Sequence, residues 1–255
     1  MITAIIQARL GSSRLPGKTL MEINGRPMLG HLVDRVRQIQ GIEQVIIATT
    51  IRSIDQAIAD FGKIEGLPVY IGSEEDVLDR FYQAARRFNA SVIVRVTPDC
   101  PLLDVEVSRQ VLVRFLQGDV DYASNTNPPT FPDGLDTEVF SFAALEQAWH
   151  EAKLSSEREH VTSYIWKNPD KFRLANVVGE RNLSALRWTV DEPQDLAFVR
   201  AVYEHLGPDS FGMAAVLDLL ETQPDLGKAN FTIERNQGYQ KSLRQDKLME
   251  DVEVQ

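Results

Sequence analysis

Short apolar runs alternate with amphipathic segments along the first half of the chain. The apolar runs predict buried strands at Ile2–Ile6, Val45–Ala48, Val69–Ile71 and Val92–Val96. The segments between and after them carry apolar side chains at helical spacing, which predicts helices over Pro27–Ile39, Ser53–Phe61, Asp76–Phe88 and Glu106–Leu116. Because continuous apolar strands alternate with helices, we expect an α/β fold with a mostly parallel sheet covered by helices.

The second half of the chain has a less regular pattern. Residues 125–134 are rich in Pro and Asn and predict a loop. Beyond this loop we expect strands at Val139–Phe142, 173–178 and 186–190, and helices at Ala144–Ala152, Glu159–Trp166, Asp195–Tyr203 and Met213–Glu221. The segment from Lys228 is polar and rich in charge, so we interpret it as a mobile extension or a subunit-contact arm.

Composition narrows the class of protein. The 255-residue chain has a formal net charge of −10 and a sequence pI near 5.0, which argues against a nucleic-acid partner. Hydrophobic residues make up 43% of the chain, enough for a core, but no apolar run approaches the roughly 20 residues of a membrane span. The single cysteine, Cys100, allows no internal disulfide and favours a reducing compartment. Since no signal peptide is visible, we expect a cytoplasmic protein.

The loop after the first predicted strand, residues 7–18, has the composition of a phosphate site. It combines two glycines and two serines with Arg9, Arg14 and Lys18. Glycine supplies backbone freedom, successive N–H groups can cradle an anion, and the cations neutralise phosphate charge. The distance from Gly11 to Gly17 is one residue too long for a Walker A loop, and the Rossmann G-x-G-x-x-G pattern is also absent. We interpret the loop as a polyphosphate site, with a solvated basic turn as the alternative.

Two aspartates, Asp99 and Asp191, directly follow predicted strands. Ligands of parallel sheets bind beyond the carboxyl ends of the strands, so the two carboxylates could share one Mg²⁺, which also takes phosphate and water oxygens. A metal and cations at such a site would offset the charge that develops during nucleotidyl transfer. The alternatives are a turn role for Asp99 and a rival metal ligand in Asp195, whose position favours a role in the first helical turn.

These segments resemble those of a known family. The CMP-sugar synthetases (acylneuraminate and 3-deoxy-manno-octulosonate cytidylyltransferases) have a nucleotide-binding segment similar to Ala8-Arg9-x-Gly-Ser-x-Arg-Leu-Pro-Gly-Lys and to 24–29 here. Their metal-binding elements resemble 98–102 and Val190-Asp191-Glu192-Pro193-Gln194-Asp195-Leu196. Residues 70–82, 133–140 and 157–162 resemble more closely the spore coat polysaccharide biosynthesis protein F group, a branch of the same superfamily. The resemblance runs from residue 1 to about residue 207.

The resemblance implies a role for each candidate residue. Catalysis would use Arg9, Arg14 and Lys18, and Mg²⁺ would be held by Asp99 and Asp191. The remaining roles are nucleotide binding, by Ala8, Arg9, Gly11, Ser12, Lys18, Ser73 and Thr97, and acceptor binding, by Asp136, Glu138, Arg158 and His160. Ser73 and Asp76 could instead cap the following helix, and Arg80 could face the pocket. Asp136 and Glu138 could be exposed loop acids, and Arg158 and His160 could make a subunit contact. Thr97 stands where many cytidylyltransferases carry a base-reading Gln, so the base stays open.

The resemblance also implies an architecture. We expect a Rossmann-like, mostly parallel sheet of the nucleotide-diphospho-sugar transferase (GT-A-like) type. The nucleotidyltransferase domain would span residues 1–207, with a small dimerisation and acceptor insertion at about 125–165, and residues 208–255 would form a C-terminal helix and polar tail. Relatives make subunit contacts through that insertion, so a homodimer is expected.

The favoured function is an Mg²⁺-dependent nucleotidyltransferase that uses CTP, or another nucleoside triphosphate, to activate a sugar or sugar acid for surface polysaccharide. Pyrophosphate would be released. One alternative is a GT-A-type glycosyltransferase that uses a preformed nucleotide sugar, with Asp119-Val120-Asp121 as a possible D-x-D metal motif. The other alternative is a catalytically inactive nucleotide-binding module. The identity of the sugar-like acceptor stays open.

Overall fold

A seven-stranded sheet forms the centre of the computed structural model, which describes residues 1–207, 211–228, 233 and 235–249. From one edge to the other the strands are β5 (Val69–Gly72), β4 (Gln44–Thr50), β1 (Ile2–Gln7), β6 (Val92–Val96), β8 (Glu138–Ser141), β7 (Tyr122–Ser124) and β9 (Leu174–Asn176). In this sheet β8 alone runs antiparallel to its neighbours. A small hairpin, β2 (Glu22–Ile23) and β3 (Arg26–Pro27), lies apart from it. The mostly parallel α/β fold is therefore confirmed.

The central strand β1 explains why both faces of the sheet must be covered. It pairs with β4 on one side and β6 on the other, with Ile5 opposite Ile46 and Arg95. Alternate side chains of a strand point to opposite faces. Accordingly Ala4 and Ile6 belong to one buried cluster and Ile5 to another. Burying such a side chain contributes about 1.5–3 kcal/mol, so each face needs a helical layer.

Two groups of helices meet this need. One face is covered by α1 (Met28–Gln38), α2 (Gln56–Ile64) and α4 (Val105–Leu116), and the other by α3 (Val77–Arg87), α5 (Phe142–Glu151) and α7 (Ser163–Lys167). The short helix α6 (Ser155–Glu159) packs against α3. A third cluster forms around α8 (Pro193–Leu206) and α9 (Met213–Thr222). Single 3-10 turns occur at Lys18–Leu20, Ser53–Asp55 and Leu226–Lys228. In the part of the chain that the structure describes, no helix has the length and apolar character needed to cross a membrane.

Two sequence expectations need correction. The predicted helix Glu159–Trp166 is broken into α6 and α7, because Val161 between them has a φ of 55°, outside the right-handed helical region. The predicted strand 186–190 forms a single bridge, from Arg187 to Asp133, rather than a ladder. The predicted strand Val139–Phe142 is β8, which lies between β6 and β7 in the sheet. The insertion at about 125–165 stays a prediction.

The C-terminal segment also differs from the expected mobile extension. Its described residues include a short helix, α10 (Gln237–Arg244), which packs against α6. The backbone N–H of Ser155 donates to Lys247 at 2.8 Å, and that of Met249 donates to Lys153 at 2.8 Å. Residues 208–210, which begin the predicted C-terminal part, lie outside the described residues, so the boundary at 207 stays a prediction.

Candidate active site

A cavity of about 1340 Å³ opens at the carboxyl edge of the parallel strands. The end of β1, the loop that follows it and the turn after β6 form one side, and α6 with residues 235–247 forms the other. Ten of the sequence-predicted residues lie on its wall: Ala8, Arg9, Gly11, Ser12, Arg14, Lys18, Thr97, Asp99, His160 and Asp191. Residues distant in sequence are thus brought to one place, as expected for the strand ends of a parallel sheet.

The loop at residues 8–18 is held in shape by hydrogen bonds at its base. Asp55, which is 1% exposed, accepts the N–H of Leu10 at 2.7 Å. The hydroxyl of Thr19 donates to the carbonyl of Arg9 at 2.9 Å, and the N–H of Gly17 donates to Leu10 at 3.0 Å. Gly17 has a φ of 76°, which glycine adopts at little cost. Sequence reasoning missed Asp55 because nothing in its local pattern points to a loop 45 residues away.

This loop presents groups suited to an anion. The N–H groups of Gly11 and Ser13 have no acceptor among the described residues, and both residues lie on the cavity wall. Arg9 is exposed at the same wall and forms no ion pair within the described part of the chain. Free N–H groups beside a guanidinium are the elements of a phosphate cradle.

Beneath the loop, the Lys18 ammonium joins the two predicted metal ligands. Its Nζ lies 3.3 Å from Asp99 Oδ2 and 2.8 Å from Asp191 Oδ1, and it donates to the carbonyl of Val190 at 2.6 Å. Burial lowers the pKa of Lys18, but Asp99 and Asp191 outweigh burial and hold that pKa above its ordinary value. Burial would raise the pKa of Asp191, yet Lys18 and Arg14 keep it below its usual range. The lysine is therefore charged, and so is Asp191.

The donor set at this point fits a hard cation. Two carboxylates already converge on a positive charge, and Mg²⁺ takes one or two carboxylates together with phosphate and water oxygens. Among the described residues no group of three or more His, Cys, Asp or Glu could form a metal cage. Asp99 and Asp191 would thus hold the ion only in company with a phosphate ligand.

Asp191 is positioned by a buried network at the start of α8. Arg187 contacts Asp191 at 3.0 Å and Asp195 at 2.9 Å. Asp195, which is fully buried, accepts the N–H groups of Asp191 and Glu192, each at 2.9 Å. Asp195 therefore has the role in the first helical turn that its position predicted.

Four predicted residues lie away from the cavity wall. Ser73 accepts the N–H of Asp76 at 3.0 Å, and Asp76 in turn caps α3 by accepting the N–H of Asp79 at 2.8 Å. Arg158 donates from Nε to Asp76 at 2.9 Å, and both side chains are nearly buried. The contact of Arg158 with Asp76 ties α3 to α6, and ligand binding by Ser73 and Arg158 stays a prediction.

The other two are Glu138 and Asp136. Glu138 accepts the Tyr122 hydroxyl at 2.6 Å and the Thr162 hydroxyl at 2.5 Å, and it also pairs with Arg95. Asp136 pairs with Arg235 of the C-terminal segment. These acids lie behind the wall because the loop that carries them enters the core strand β8.

Arg80 reaches the wall from α3. It is 1% exposed, donates to the carbonyl of Ser73, and forms no ion pair in the described residues; its Nε has no partner. Burial, and then the neighbouring Arg9, lowers the pKa of Arg80 to about 10. A buried cation without a carboxylate, at the wall of a cavity, is well placed for an anionic ligand.

A sheet edge with an anion-binding loop and converging carboxylates defines an α/β protein of the nucleotide-binding class. The family model "Cytidylyltransferase" matches residues 3–223. The chain is 33% identical to the spore coat polysaccharide biosynthesis protein SpsF of Bacillus subtilis, over 88% of this chain and 95% of that protein. It is 35% identical to a 3-deoxy-manno-octulosonate cytidylyltransferase of Anaeromyxobacter, over 50% of this chain and 51% of that protein.

A solved structure of a cytidylyltransferase from Leptospira borgpetersenii is similar in fold and in sequence. The TM-score is 0.86 at 31% identity, and the match covers 92% of this chain and 99% of that one. The chain therefore belongs to the cytidylyltransferase family and is a nucleotidyltransferase. The resemblance found in the sequence, to the spore coat group and to the CMP-sugar synthetases, is confirmed.

Proposed function

We propose that the protein transfers the cytidylyl group of CTP to a sugar or sugar acid in the presence of Mg²⁺. An acceptor hydroxyl oxygen attacks the α-phosphorus, and the bond from that phosphorus to the α–β bridging oxygen breaks. Pyrophosphate leaves with the bonding electrons, and the hydroxyl proton passes to solvent. The observation that carries the proposal is the convergence of Lys18, Asp99 and Asp191 beneath the loop at residues 8–18.

In this proposal the loop binds the triphosphate. The N–H groups of Gly11 and Ser13 and the guanidinium of Arg9 face the cavity without protein partners in the described residues, so a polyphosphate can take them. Arg14 lies 2.9 Å from Asp191 and brings a further cation to the same edge. These fixed charges stabilise the negative charge that develops on the transferred group and on pyrophosphate. Ala8 and Thr97 line the same wall and would contact the nucleoside.

Asp99 and Asp191 would hold Mg²⁺ together with the phosphates. The bound ion would supply charge neutralisation at the phosphates. Lys18 pairs with the same two carboxylates and orients them, and it holds the pKa of Asp191 below its usual range. It can also donate to a phosphate oxygen as the nucleotide enters. Arg187 fixes Asp191 from behind.

The acceptor would enter from the side of the cavity lined by α6. His160 lies on that wall, and burial lowers its pKa below the ordinary value, so its ring is neutral near pH 7. A neutral imidazole can exchange hydrogen bonds with a sugar hydroxyl. Asp136 would act there through its partner Arg235, whereas the buried contacts of Glu138 and Arg158 support structural roles.

The wider role in surface polysaccharide synthesis is supported by the name of the Bacillus subtilis relative. A homodimer with contacts around residues 125–165 and a cytoplasmic location stay predictions. A GT-A-type glycosyltransferase and an inactive nucleotide-binding module are the alternatives to test against.

A pyrophosphate-release assay tests the proposal. CTP, UTP, ATP and GTP are offered in turn with Mg²⁺ and a panel of 2-keto-3-deoxy sugar acids and sugar phosphates. We expect release with CTP and one acceptor class, and a drop in kcat on the order of 10²–10³ in Asp99→Asn. Asp60→Asn, which removes an exposed carboxylate paired with Lys63, is the matched control and should retain full turnover. Binding of a nucleotide sugar without pyrophosphate release from any triphosphate would favour the glycosyltransferase.

A further inference from the structure

The C-terminal segment, residues 235–249, forms the wall of the cavity opposite the loop at residues 8–18. Lys241 and Arg244 of α10 and Lys247 just beyond it are exposed and line the cavity. Lys241 and Arg244 are three residues apart on a helix, which places both side chains on one face. None of the three forms an ion pair in the part of the chain that the structure describes.

Specific contacts hold this segment in place. The carboxylate of Asp246 accepts the N–H and the hydroxyl of Ser156 at 2.9 and 2.8 Å. The hydroxyl of Ser242 donates to Glu159 at 2.6 Å and lies 3.0 Å from His160 Nε2. These polar contacts join α10 to α6, so the cations of α10 have a fixed place at the cavity.

Arg235, a fourth cation of the same segment, differs from Lys241, Arg244 and Lys247 because it has carboxylate partners. It also lines the cavity, but it pairs with Asp136 and lies 3.8 Å from Asp133. Its charge is therefore balanced within the protein, and its side chain fastens the segment to the loop before β8. Lys241, Arg244 and Lys247 have no such balance, although the chain as a whole has a net charge of −10.

We propose that Lys241, Arg244 and Lys247 form a subsite that binds an oxyanion of the acceptor, a carboxylate or a phosphate. The proposal rests on the proposed function and deepens it, because it states which chemical group the acceptor carries and which residues bind it. The loop at residues 8–18 already supplies N–H groups and Arg9 for the triphosphate. Lys241, Arg244 and Lys247 on the opposite wall, whose charges no carboxylate of the described residues balances, are then available for a second anion. Several cations around one group favour a bidentate oxyanion over a neutral sugar hydroxyl.

Calorimetric titration of the 255-residue chain tests this subsite. The protein is first titrated with CTP and Mg²⁺. The CTP-loaded protein is then titrated with inorganic phosphate, glucose 1-phosphate and N-acetylneuraminate, the first two as phosphates and the last as a carboxylate. The variant Lys241→Gln/Arg244→Gln is compared with Lys63→Gln/Arg109→Gln, which removes the same two charges from exposed pairs outside the cavity.

We expect the wild-type protein and the control to bind at least one of the three anions, and the Lys241→Gln/Arg244→Gln variant to bind it at least about tenfold more weakly. The affinity for CTP should change less than about twofold. Which anion binds distinguishes a phosphate from a carboxylate. Because both mutated side chains are exposed, the variant should keep the melting temperature of the wild-type protein.

Other outcomes overturn the subsite. Equal anion affinity in the variant, or no anion bound by the CTP-loaded wild-type protein, would contradict it. A weaker affinity for CTP in the variant would assign these cations to the nucleotide instead. If the wild-type protein binds no nucleotide, the proposed function fails. Phosphate titration of the free protein would then still show whether the cations bind an anion, and equal affinity in wild type and variant would overturn the subsite.

Discussion

The two walls of the cavity are built in different ways. The wall at residues 8–18, the proposed nucleotide wall, is one continuous loop, shaped by its own glycines and by hydrogen bonds at its base. The opposite wall, the proposed acceptor wall, joins α6 to α10 by side-chain contacts such as that between His160 and Ser242, two residues that are 82 positions apart. A continuous loop leaves a motif in the sequence, whereas an assembled wall does not. The proposed nucleotide wall can therefore be predicted from the sequence, whereas the proposed acceptor wall becomes visible only in the fold.

The largest effect should come from Lys18, where the nucleotide wall meets the carboxylates. Lys18→Ala removes the charge between Asp99 and Asp191, so we expect kcat/KM for CTP to fall on the order of 10²–10³-fold. A pyrophosphate-release assay measures it, with Lys63→Ala as control because Lys63 lies in an exposed pair with Asp60. Unchanged turnover would remove Lys18 from the catalytic machinery and leave the nucleotide wall without its central cation.

The buried network around Asp133, which lies between Arg187 and Arg235, should instead show a pH-dependent stability. Burial, and then the neighbouring Asp136, raises the pKa of Asp133 from 3.8 to about 7. Between these values the folded state holds a proton that the unfolded state has released, so stability falls as the pH rises from about 4 to about 7. The free energy of unfolding falls by at most about 4 kcal/mol in total, and above pH 7 Asp133 no longer makes it depend on pH. Urea unfolding across this range measures it.

Asp133→Asn provides the comparison for that experiment. The amide cannot ionise, so the contribution of this group to the slope should vanish while the other carboxylates still titrate. Arg187, which is paired with Asp133 in the wild-type protein, keeps its ion pairs with Asp191 and Asp195 in the variant. If both proteins lose the same stability between pH 4 and pH 7, Asp133 is ionised throughout and the buried network around it is fully charged.

A smaller effect tests whether Arg158 belongs to the acceptor wall or to the core. Arg158→Met leaves Asp76 without its cation at the junction of α3 and α6, where the two side chains are 9% and 11% exposed. Loss of one partner of a buried pair costs about 3 kcal/mol, which urea denaturation detects. Since Arg158 does not line the cavity, the KM for the acceptor should stay within about twofold. A large rise in this KM with stability intact would restore the acceptor-binding role that the resemblance implied.

The same contrast explains how much of the molecule the sequence predicts. The alternating apolar runs predict the parallel strands β1, β4, β5 and β6, because burial on both faces demands continuous apolar side chains. Helix α10 escaped prediction because none of its side chains is buried; polar contacts such as Asp246 with Ser156 hold the segment in place. The break at Val161 depends on a single backbone angle, which composition and periodicity do not report.

The residues of the candidate site also fall into two groups, those that the sequence predicts and those that only the fold reveals. Asp99 follows β6, and the loop that leads to Lys18 follows β1, so the topology of the parallel sheet brings these two segments together. Asp191 reaches the same point from the segment before α8. The roles of Arg80 and Asp55 depend on their positions in the fold. Arg80 is a buried cation at the cavity wall, and Asp55 accepts a hydrogen bond from Leu10, in a loop 45 residues away in sequence. Their local sequence does not separate these roles from ordinary helix and turn positions.

The smallest effect should come from the D-x-D motif of the glycosyltransferase alternative. Asp119 pairs with Arg114 at 2.6 Å and Asp121 with Arg173 at 2.8 Å, and neither aspartate lines the cavity. These are surface pairs, so Asp119→Asn/Asp121→Asn should cost less than about 1 kcal/mol per pair in urea unfolding. Turnover in the pyrophosphate-release assay should stay within about twofold of wild type, because the carboxylates of the nucleotide site are untouched. A loss of turnover as deep as that expected for Lys18→Ala would place the metal at this motif and would make the nucleotide wall a binding surface alone.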